Sequence, residues 1–395
     1  MSAQPLAGLV VVDLSRNLPG PLAAQLLASL GARVLKVEEP GLGDPVRLAP
    51  PRRDGRGALA SLLLSGVESI ALDLKKPAAR EVLESLLAGA DVLLETFRPG
   101  GLARLGFDPA ALQERHPRLV ICSLSGFGKD GPSAHRAGHD LTYQALAGTL
   151  APSPEQMPAL PVADLVGAWS AVAAILAALL ERQASSRGAC IDASLFDAAV
   201  HSNLVAWSAE VGSPQPLGAP LLFSGALPCY NLYRTADGHP LALAALEPHF
   251  WRRFCRVAGR KDLERLHLSR DPAARQAVAE VIASRTRAEW QEVAAAHDLP
   301  LEPVLSAAEA AAHPQAAARD LLRHDPRALP HLAFPARFDG ERPRAGDSLP
   351  DLGEHTQALL AERGLRARRL ALRSGVGKRF SLRRLLARWL APDPR

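Results

Sequence analysis

One aspartate, Asp164, stands where its chemistry would be unusual. It lies in the sequence Pro-Val-Ala-Asp-Leu-Val-Gly, directly before a largely apolar run from Leu165 to Leu180. Such a run predicts a buried helix. Burial disfavours the charged carboxylate, whereas the free backbone N–H groups at a helix start favour it. Two interpretations follow: a helix cap, which is a common position for aspartate, or a reactive carboxyl group.

Short segments elsewhere favour the second interpretation. They combine charged side chains and histidines with turn residues, and they are Leu6–Ser15, Pro19–Pro21, Leu30–Glu38, Gly43–Asp44, Ile70–Lys75, Phe97–Gly100, Ser125–Asp140, Tyr233–Gly238, Ala245–Phe250 and Leu352–Thr356. In this order, and together with Asp164, they resemble the family III CoA-transferase superfamily (CaiB/BaiF-like proteins). Within that superfamily they resemble the α-methylacyl-CoA racemases most. The resemblance covers almost the whole chain and stops before the C-terminal tail.

The composition is typical of a soluble protein. Of the 395 residues, 48% are hydrophobic, which is enough to build one large or two ordinary domains. The start of the chain lacks a basic segment followed by an apolar stretch, so no signal peptide is predicted. The apolar run after Asp164 is too short for a membrane span and contains Gly167 and Ser170, so we expect a buried helix. Four widely spaced cysteines match no metal site and predict free thiols in a cytoplasmic protein: Cys122, Cys190, Cys229 and Cys255.

The first half of the chain alternates strand and helix patterns. The predicted strands are Leu9–Leu14, Ala32–Val37, Ser69–Leu72, Asp91–Glu95, Leu119–Ser123 and Ala189–Ala193. The predicted helices are Pro19–Leu30, Pro77–Ala88, Pro109–His116 and the long core helix Ala168–Gln183. Such βαβ units predict an α/β fold with a parallel sheet. The turn at Asn17–Pro21 lacks the G-x-G-x-x-G pattern, so dinucleotide binding is not supported.

The character of the chain changes after a proline-rich break at Pro214–Pro220. An Ala-Asp-Gly turn between two strand patterns, Leu227–Thr235 and His239–Ala244, predicts a hairpin. Helical patterns follow from Pro248 to His297. We therefore divide the chain into a large CoA-binding domain (1–215), a smaller α+β domain (216–325), a return to the large domain (326–362) and a basic extension (363–395). The resemblance also implies an interlocked homodimer.

The racemase resemblance implies roles for four side chains. His139 and Asp164 would remove and return the α-proton of a 2-methylacyl-CoA thioester, one on each face of the carbon. Asp140 would lie near His139 and stabilise it. Glu247, supplied by the partner chain, would orient the imidazole. A histidine and an aspartate in different environments suit this task, because one can act as acid while the other acts as base.

Two alternatives stay open. In the transferases of the superfamily the same aspartate is a nucleophile, so Asp164 would form a mixed anhydride and then an aspartyl-CoA thioester. The run Leu165–Trp169 is closer to the transferase pattern than to the glycine run of several racemases. A transferase needs neither His139 nor Glu247, and for that reason we place the racemase first. The second alternative is an acyl-CoA-binding relative without catalysis.

Coenzyme A would enter as part of the substrate, and no separate cofactor is expected. Its phosphates need cations and its adenine needs an apolar cleft. The resemblance indicates Lys36 and Arg98 as CoA-binding residues, with Arg47 and Lys75 as weaker candidates and Asn17 near the thiol end. Each of the basic residues alone would also suit a solvated surface. The family commonly has an Asn and a basic residue before the third strand, where this chain has Leu-Ser-Gly-Val-Glu-Ser.

The C-terminal tail from Arg363 to Arg395 is rich in arginine and also carries leucines and a tryptophan. A basic amphipathic segment could bind an anionic membrane or a nucleic acid. No nucleic-acid motif accompanies the charge, so we expect a solvated extension and no nucleic-acid partner.

Overall fold

The computed structural model describes residues 4–151, 155–212 and 225–364. Within them the chain forms two compact units. The first contains the residues up to Gly148, those from Pro158 to Ser202, and those from Arg319 onward. The second contains the residues from Thr149 to Met157 and from Asn203 to Ala318. The predicted domain limits at 215 and 325 stay predictions. The proline-rich break Pro214–Pro220 and the basic extension after Gly364 lie outside the described residues.

The strands in chain order are β1 (Val10–Asp13), β2 (Arg33–Glu38), β3 (Arg52–Arg53), β4 (Arg56–Gly57), β5 (Glu68–Ala71), β6 (Val92–Glu95), β7 (Val120–Ser125), β8 (Cys190–Ser194), β9 (Tyr230–Arg234), β10 (Pro240–Ala244), β11 (Leu301–Pro303), β12 (Leu322–His324) and β13 (Pro330–Leu332). The helices are α1 (Pro19–Ser29), α2 (Ala58–Leu64), α3 (Pro77–Leu87), α4 (Gly101–Arg104), α5 (Pro109–Arg115), α6 (Asp140–Leu146), α7 (Val162–Ser185), α8 (Leu195–Ser202), α9 (Leu204–Gly212), α10 (Pro248–Val257), α11 (Pro272–Ile282), α12 (Arg287–His297), α13 (Ala307–Ala312), α14 (Pro314–Arg319) and α15 (Thr356–Glu362). Two short 3₁₀ helices cover Pro45–Leu48 and Lys261–Leu266.

A six-stranded parallel sheet organises the first unit, with strand order β5-β2-β1-β6-β7-β8. The predicted parallel sheet is confirmed, and each of its strands lies within two residues of the predicted bounds. Strands β2 and β5 lie on one side of β1 in the sheet, and β6, β7 and β8 lie on the other. The chain therefore leaves β1 toward one edge of the sheet and leaves β6 toward the other, so the loops that follow these two neighbouring strands diverge. At such a switch point, parallel sheets open a crevice at the carboxyl ends of their strands.

Successive strand residues face opposite sides of the sheet, and each side has its own core. On one side Val11, Val34 and Val120 pack with residues of α1 and α7. On the other side Val12 and Leu35 pack with residues of α3, α5 and α15. Because both faces are covered, the strands are apolar almost throughout, as expected for a buried parallel sheet.

The second unit contains the predicted hairpin. Strands β9 and β10 pair antiparallel, and β11 adds to β10 to give a three-stranded sheet. The turn needs Gly238, whose φ of 78° is left-handed. Trp251, Phe254 and Trp290 fill the core between this sheet and helices α10–α12. The hairpin places the loop after β10, and with it Glu247, at the start of α10.

Helix α7 is, in the described part of the chain, the one helix whose length and composition would allow it to cross a membrane. Core helices of soluble proteins reach the same length and apolar composition. Its most apolar 18-residue window is 39% buried inside the protein, and it packs on α1 and α8.

Candidate active site

Helix α7 begins at Val162, with Pro161 in the cap position. Asp164 is therefore the third residue of the first turn, and its interpretation as the helix cap is wrong. The helix also starts earlier than the predicted Ala168, because the hydrophobic pattern does not show where a first turn begins. Pro161 makes no side-chain cap, so the free N–H groups of this turn need acceptors from elsewhere.

Asp140 provides one of those acceptors from the neighbouring helix. It is the first residue of α6, and its Oδ1 accepts the backbone N–H of Asp164 at 3.0 Å. Its Oδ2 accepts the amide Nε2 of Gln144 at 2.6 Å. The resemblance suggested that Asp140 stabilises His139, its sequence neighbour. The structure instead engages both carboxylate oxygens of Asp140 with α7 and Gln144, so an effect on His139 would act through charge.

The Asp164 carboxyl is held in an environment that favours its neutral form. Burial raises its pKa, and the negative charge of Asp140 adds to the rise, which brings the pKa to about 7. A carboxyl group with such a pKa is present in both protonation states at neutral pH. It can therefore take up or give a proton there, as a general base or acid must.

His139 lies at the cap position of α6. Its backbone N–H donates to Thr142 Oγ1 at 3.1 Å, and its carbonyl accepts the Thr142 hydroxyl at 2.7 Å. These bonds fix the backbone of His139, and the residue itself is exposed. His139, Asp140 and Asp164 are thus brought together at the adjacent starts of α6 and α7.

Tyr143 forms the wall behind this pair of helix starts. It is buried, and its ring meets Phe127 edge-on at 5.0 Å. Burial raises the pKa of its phenol, and the charge of Asp164 adds to this rise. A Cβ atom added at Gly138 would lie 2.6 Å from the ring, so a glycine is needed for Tyr143 to pack here.

Glu247 belongs to the second unit. It occupies the cap position of α10, is exposed, and makes no cap bond with its side chain. Its assignment to the histidine of a partner chain stays a prediction.

A cleft of about 420 Å³ opens at the carboxyl ends of β1, β2, β5 and β6. Three cations among the described residues line it: Arg16, Lys75 and Arg104. The guanidinium of Arg16 lies 5.9 Å from the centre of the Phe97 ring, which also faces the cleft. Leucine side chains and the acids Glu39 and Asp73 complete the lining, together with the edge of the ion-pair network described next. A cleft with basic and aromatic walls can hold a phosphorylated ligand that carries an aromatic base.

A fully buried ion-pair network lies beneath the cleft. The ammonium of Lys36 is 3.1 Å from Oδ2 of both Asp13 and Asp44, and it donates to the carbonyl of Ser15 at 2.5 Å. Burial acts to lower the pKa of Lys36, but the neighbouring carboxylates outweigh it and raise the pKa. Lys36 therefore stays charged. Because it has no exposed surface, it cannot touch a phosphate in this arrangement, and its predicted part in CoA binding would be indirect.

Arg47 and Asn17 continue this network. Arg47 donates to both carboxylate oxygens of Glu38 at 2.7 Å and to the carbonyl of Pro350 at 2.8 Å. Burial acts to raise the pKa of Glu38, but the hydrogen bonds and charge of Arg47 lower it overall. Asn17 is exposed, has a left-handed φ of 67°, and donates its N–H to Asp44 Oδ1 at 3.1 Å. Glu38 and Asp44 line the cleft, so these bonds hold part of its lining in place.

Arg98 lines a smaller cavity of about 190 Å³ at the ends of β6 and β7, with Lys129. Of the five predicted CoA residues, Lys75 lines the cleft of about 420 Å³, and Arg98 lines the smaller cavity beside it. Sequence reasoning missed Arg16, Arg104 and Gln144. The first two follow strands β1 and β6, so the rule that ligands bind at the carboxyl ends of parallel strands could have indicated them.

Comparison with known proteins identifies the family of the chain. Residues 6–356 match the sequence model of CoA-transferase family III. The chain is a member of that family. It is 33% identical over 371 residues to α-methylacyl-CoA racemase of Homo sapiens, covering 91% of this chain and 93% of the racemase. It is 32% identical over 341 residues to acetyl-CoA:oxalate CoA-transferase of Acetobacter aceti, covering 80% of this chain and 85% of the transferase.

A solved structure shows the same fold. A CaiB/BaiF family protein from Brucella suis aligns with a TM-score of 0.80 and 31% identity, over 92% of this chain and 100% of that chain. This CoA-transferase family III protein is therefore an enzyme of the superfamily, and acyl-CoA thioesters fit it as substrates. Its relatives of similar identity include both racemases and transferases, so the choice between the two reactions depends on the site.

Proposed function

We propose that this enzyme epimerises the α-carbon of 2-methylacyl-CoA thioesters. The observation that carries the proposal is the Asp164 carboxyl, held with a pKa of about 7 at the start of α7 beside the helix that begins after His139. A group that exchanges protons at neutral pH suits removal of a weakly acidic α-proton.

In the proposed step, the Asp164 carboxylate takes the α-proton and becomes a carboxylic acid. The electron pair of the broken C–H bond forms a double bond between the α-carbon and the carbonyl carbon, and the π pair of the C=O bond moves to the thioester oxygen, which gives an enolate. The positive end of the dipole of α7 would stabilise that oxygen. The imidazolium of His139 then gives a proton to the opposite face of the carbon, and the enolate collapses to the inverted thioester. The reverse reaction exchanges the two roles.

The cleft would hold the CoA moiety. Arg16, Lys75 and Arg104 would pair with its phosphates, and Phe97 with the leucines of the lining would contact its adenine. The buried network around Lys36 would hold the loops that carry these groups.

Isotope exchange tests the reaction. The enzyme is incubated with a 2-methylacyl-CoA in deuterated water, and the α-position is followed by NMR and mass spectrometry. We expect deuterium at the α-carbon without any added carboxylic acid, and none with Asp164→Asn, whose amide cannot accept the proton. Transfer of CoA to an added carboxylate, without exchange across several branched substrates, would overturn the proposal.

A CoA transferase is the second candidate. It is favoured by the segment Leu165–Trp169, which has no glycine run, and by the named transferases among the relatives. The same carboxyl group would then attack the acyl-CoA as a nucleophile. Hydroxylamine or borohydride would trap the resulting adduct as a mass change on the peptide that contains Asp164. We expect no adduct.

The homodimer is also a proposal, supported by one face of α7 that is exposed in the described part of the chain. Trp169, Ala173, Ala177 and Leu180 are spaced so that they share one side of the helix, and all four are exposed. An apolar stripe of this kind suits contact with a second copy of the chain. Leu180→Glu should weaken dimerisation in sedimentation velocity, whereas a monomeric wild-type enzyme would exclude this interface. A cytoplasmic location stays our expectation.

A further inference from the structure

The buried side chain of Gln144 links the two helices that carry the proposed acid–base groups. Gln144 lies in the second turn of α6 and is 2% exposed. Its Nε2 donates to Asp140 Oδ2 at 2.6 Å and to the carbonyl of Leu160 at 3.2 Å. Leu160 is in the segment that leads directly into α7. One amide group therefore ties the first turn of α6 to the entrance of α7.

The link continues into the site. Asp140 uses its second oxygen, Oδ1, to accept the N–H of Asp164 at 3.0 Å. Since Pro161 gives α7 no side-chain cap, this bond from a neighbouring helix takes the place of a local cap. A charge-assisted bond to a backbone N–H is short and directional, so the carboxylate of Asp140 must be held in place for it to form. Gln144 is the residue that holds it.

We propose that Gln144 is a positioning residue for the acid–base site: it keeps the Asp140 carboxylate against the first turn of α7 and so sets the surroundings of Asp164. The inference rests on the proposed function for its effect on the reaction, but not for its effect on Asp164 itself. The negative charge of Asp140 acts on Asp164 only as long as the carboxylate stays close. Without Gln144, Asp140 can turn toward solvent.

Gln144→Met tests the proposal, because methionine is similar in length and lacks the two N–H donors. We expect the rate of α-proton exchange at neutral pH to fall about 10- to 100-fold, as a shift of a catalytic group by about 1 Å does, with little change in KM. The exchange rate rises with pH as the Asp164 carboxyl ionises. This rise should occur at lower pH in the variant, because the Asp140 charge that helps to raise the pKa of Asp164 is no longer held nearby. Gln144→Asn, which keeps the amide group, should recover part of the rate.

Gln25 provides a matched control. It is also a buried glutamine, 5% exposed, and its Nε2 donates to Ser29 Oγ at 3.0 Å and to the carbonyl of Leu332 at 3.3 Å. Gln25→Met removes two amide hydrogen bonds elsewhere in the same unit. It should lower thermal stability and leave the pH–rate profile unmoved. A shift of the profile in both variants, or in neither, would overturn the proposal.

A second readout does not depend on activity. Carbon-13 labelling of the aspartate carboxyl groups, with the Asp164 signal assigned from Asp164→Asn, gives the titration of Asp164 directly. We expect a lower pKa in Gln144→Met than in the wild type, and an unchanged one in Gln25→Met. If the wild type exchanges no α-protons but this shift is observed, the proposed function fails and the positioning role stands. An unchanged titration in Gln144→Met refutes the positioning role whatever the reaction is.

Discussion

Replacement of Asp164 by asparagine should make the protein more stable, and more so as the pH rises. Asparagine has nearly the same shape but cannot ionise. Burial, and then the charge of Asp140, raise the pKa of Asp164 from its ordinary value of 3.8 to about 7. At about 1.4 kcal/mol per pKa unit, this rise corresponds to at most about 4 kcal/mol of free energy that opposes ionisation in the folded state.

The sign follows from proton linkage. Because the folded protein binds this proton more tightly than the unfolded chain, the wild-type free energy of unfolding falls as the pH rises from 3.8 to about 7. The Asp164→Asn variant has no such dependence at this position. We therefore expect it to exceed the wild type by up to about 4 kcal/mol at about pH 8, with a difference that shrinks below pH 7 and disappears near pH 4.

Urea unfolding followed by tryptophan fluorescence, between about pH 5 and pH 8, measures the difference. Asp347→Asn serves as the control, because it removes one negative charge at an exposed position. Its stability relative to the wild type should show no comparable pH dependence. An Asp164→Asn variant that differs from the wild type by the same amount at every pH would refute the raised pKa of Asp164.

Three further predictions test the rest of the site. Lys36→Met should lower the free energy of unfolding by about 3–5 kcal/mol, because two buried carboxylates lose the ammonium between them. A decrease below about 1 kcal/mol in the free energy measured by urea unfolding would contradict the buried network. Arg104→Ala should raise KM for acyl-CoA by about tenfold with little effect on kcat, as expected for a lost charge-assisted bond to a phosphate, and an unchanged KM in steady-state kinetics would remove Arg104 from the CoA site. An inactive Glu247→Ala chain, refolded together with an inactive His139→Ala chain, should regain part of the exchange activity, since each mixed dimer would contain one intact site. Inactive mixed dimers beside a wild type that refolds well would mean that both residues serve one chain's site, or that one is not catalytic.

Sequence patterns were sufficient for the elements of the large unit. Apolar strand runs such as Leu9–Leu14, separated by amphipathic helices such as Pro77–Ala88, predicted the parallel sheet, and the structure confirms it. The Ala-Asp-Gly turn likewise predicted the hairpin. These features depend on the hydrophobic period and on turn residues, which are local properties of the chain. The order of motifs also indicated the family, which the comparisons confirm.

The sequence pattern could not indicate which charged side chains form ion pairs. Lys36 was predicted to bind CoA, but the register of β1 against β2 places it opposite Asp13, and the loop after β2 brings Asp44 to the same point. Charged residues far apart in sequence pair only through such packing. A basic residue inside a strand therefore looks the same in the sequence whether it faces a ligand or a buried carboxylate.

At Asp164, too, the sequence and the tertiary structure determine different properties. The sequence determined that a carboxyl group stands at the start of a long apolar helix, and this was enough to select it as the candidate for the chemistry. Only the tertiary structure decided that Asp140 and Gln144, on another helix, hold that turn. The pKa of Asp164 depends on its distance from the Asp140 charge and on its burial, and both arise from the packing of α6 against α7.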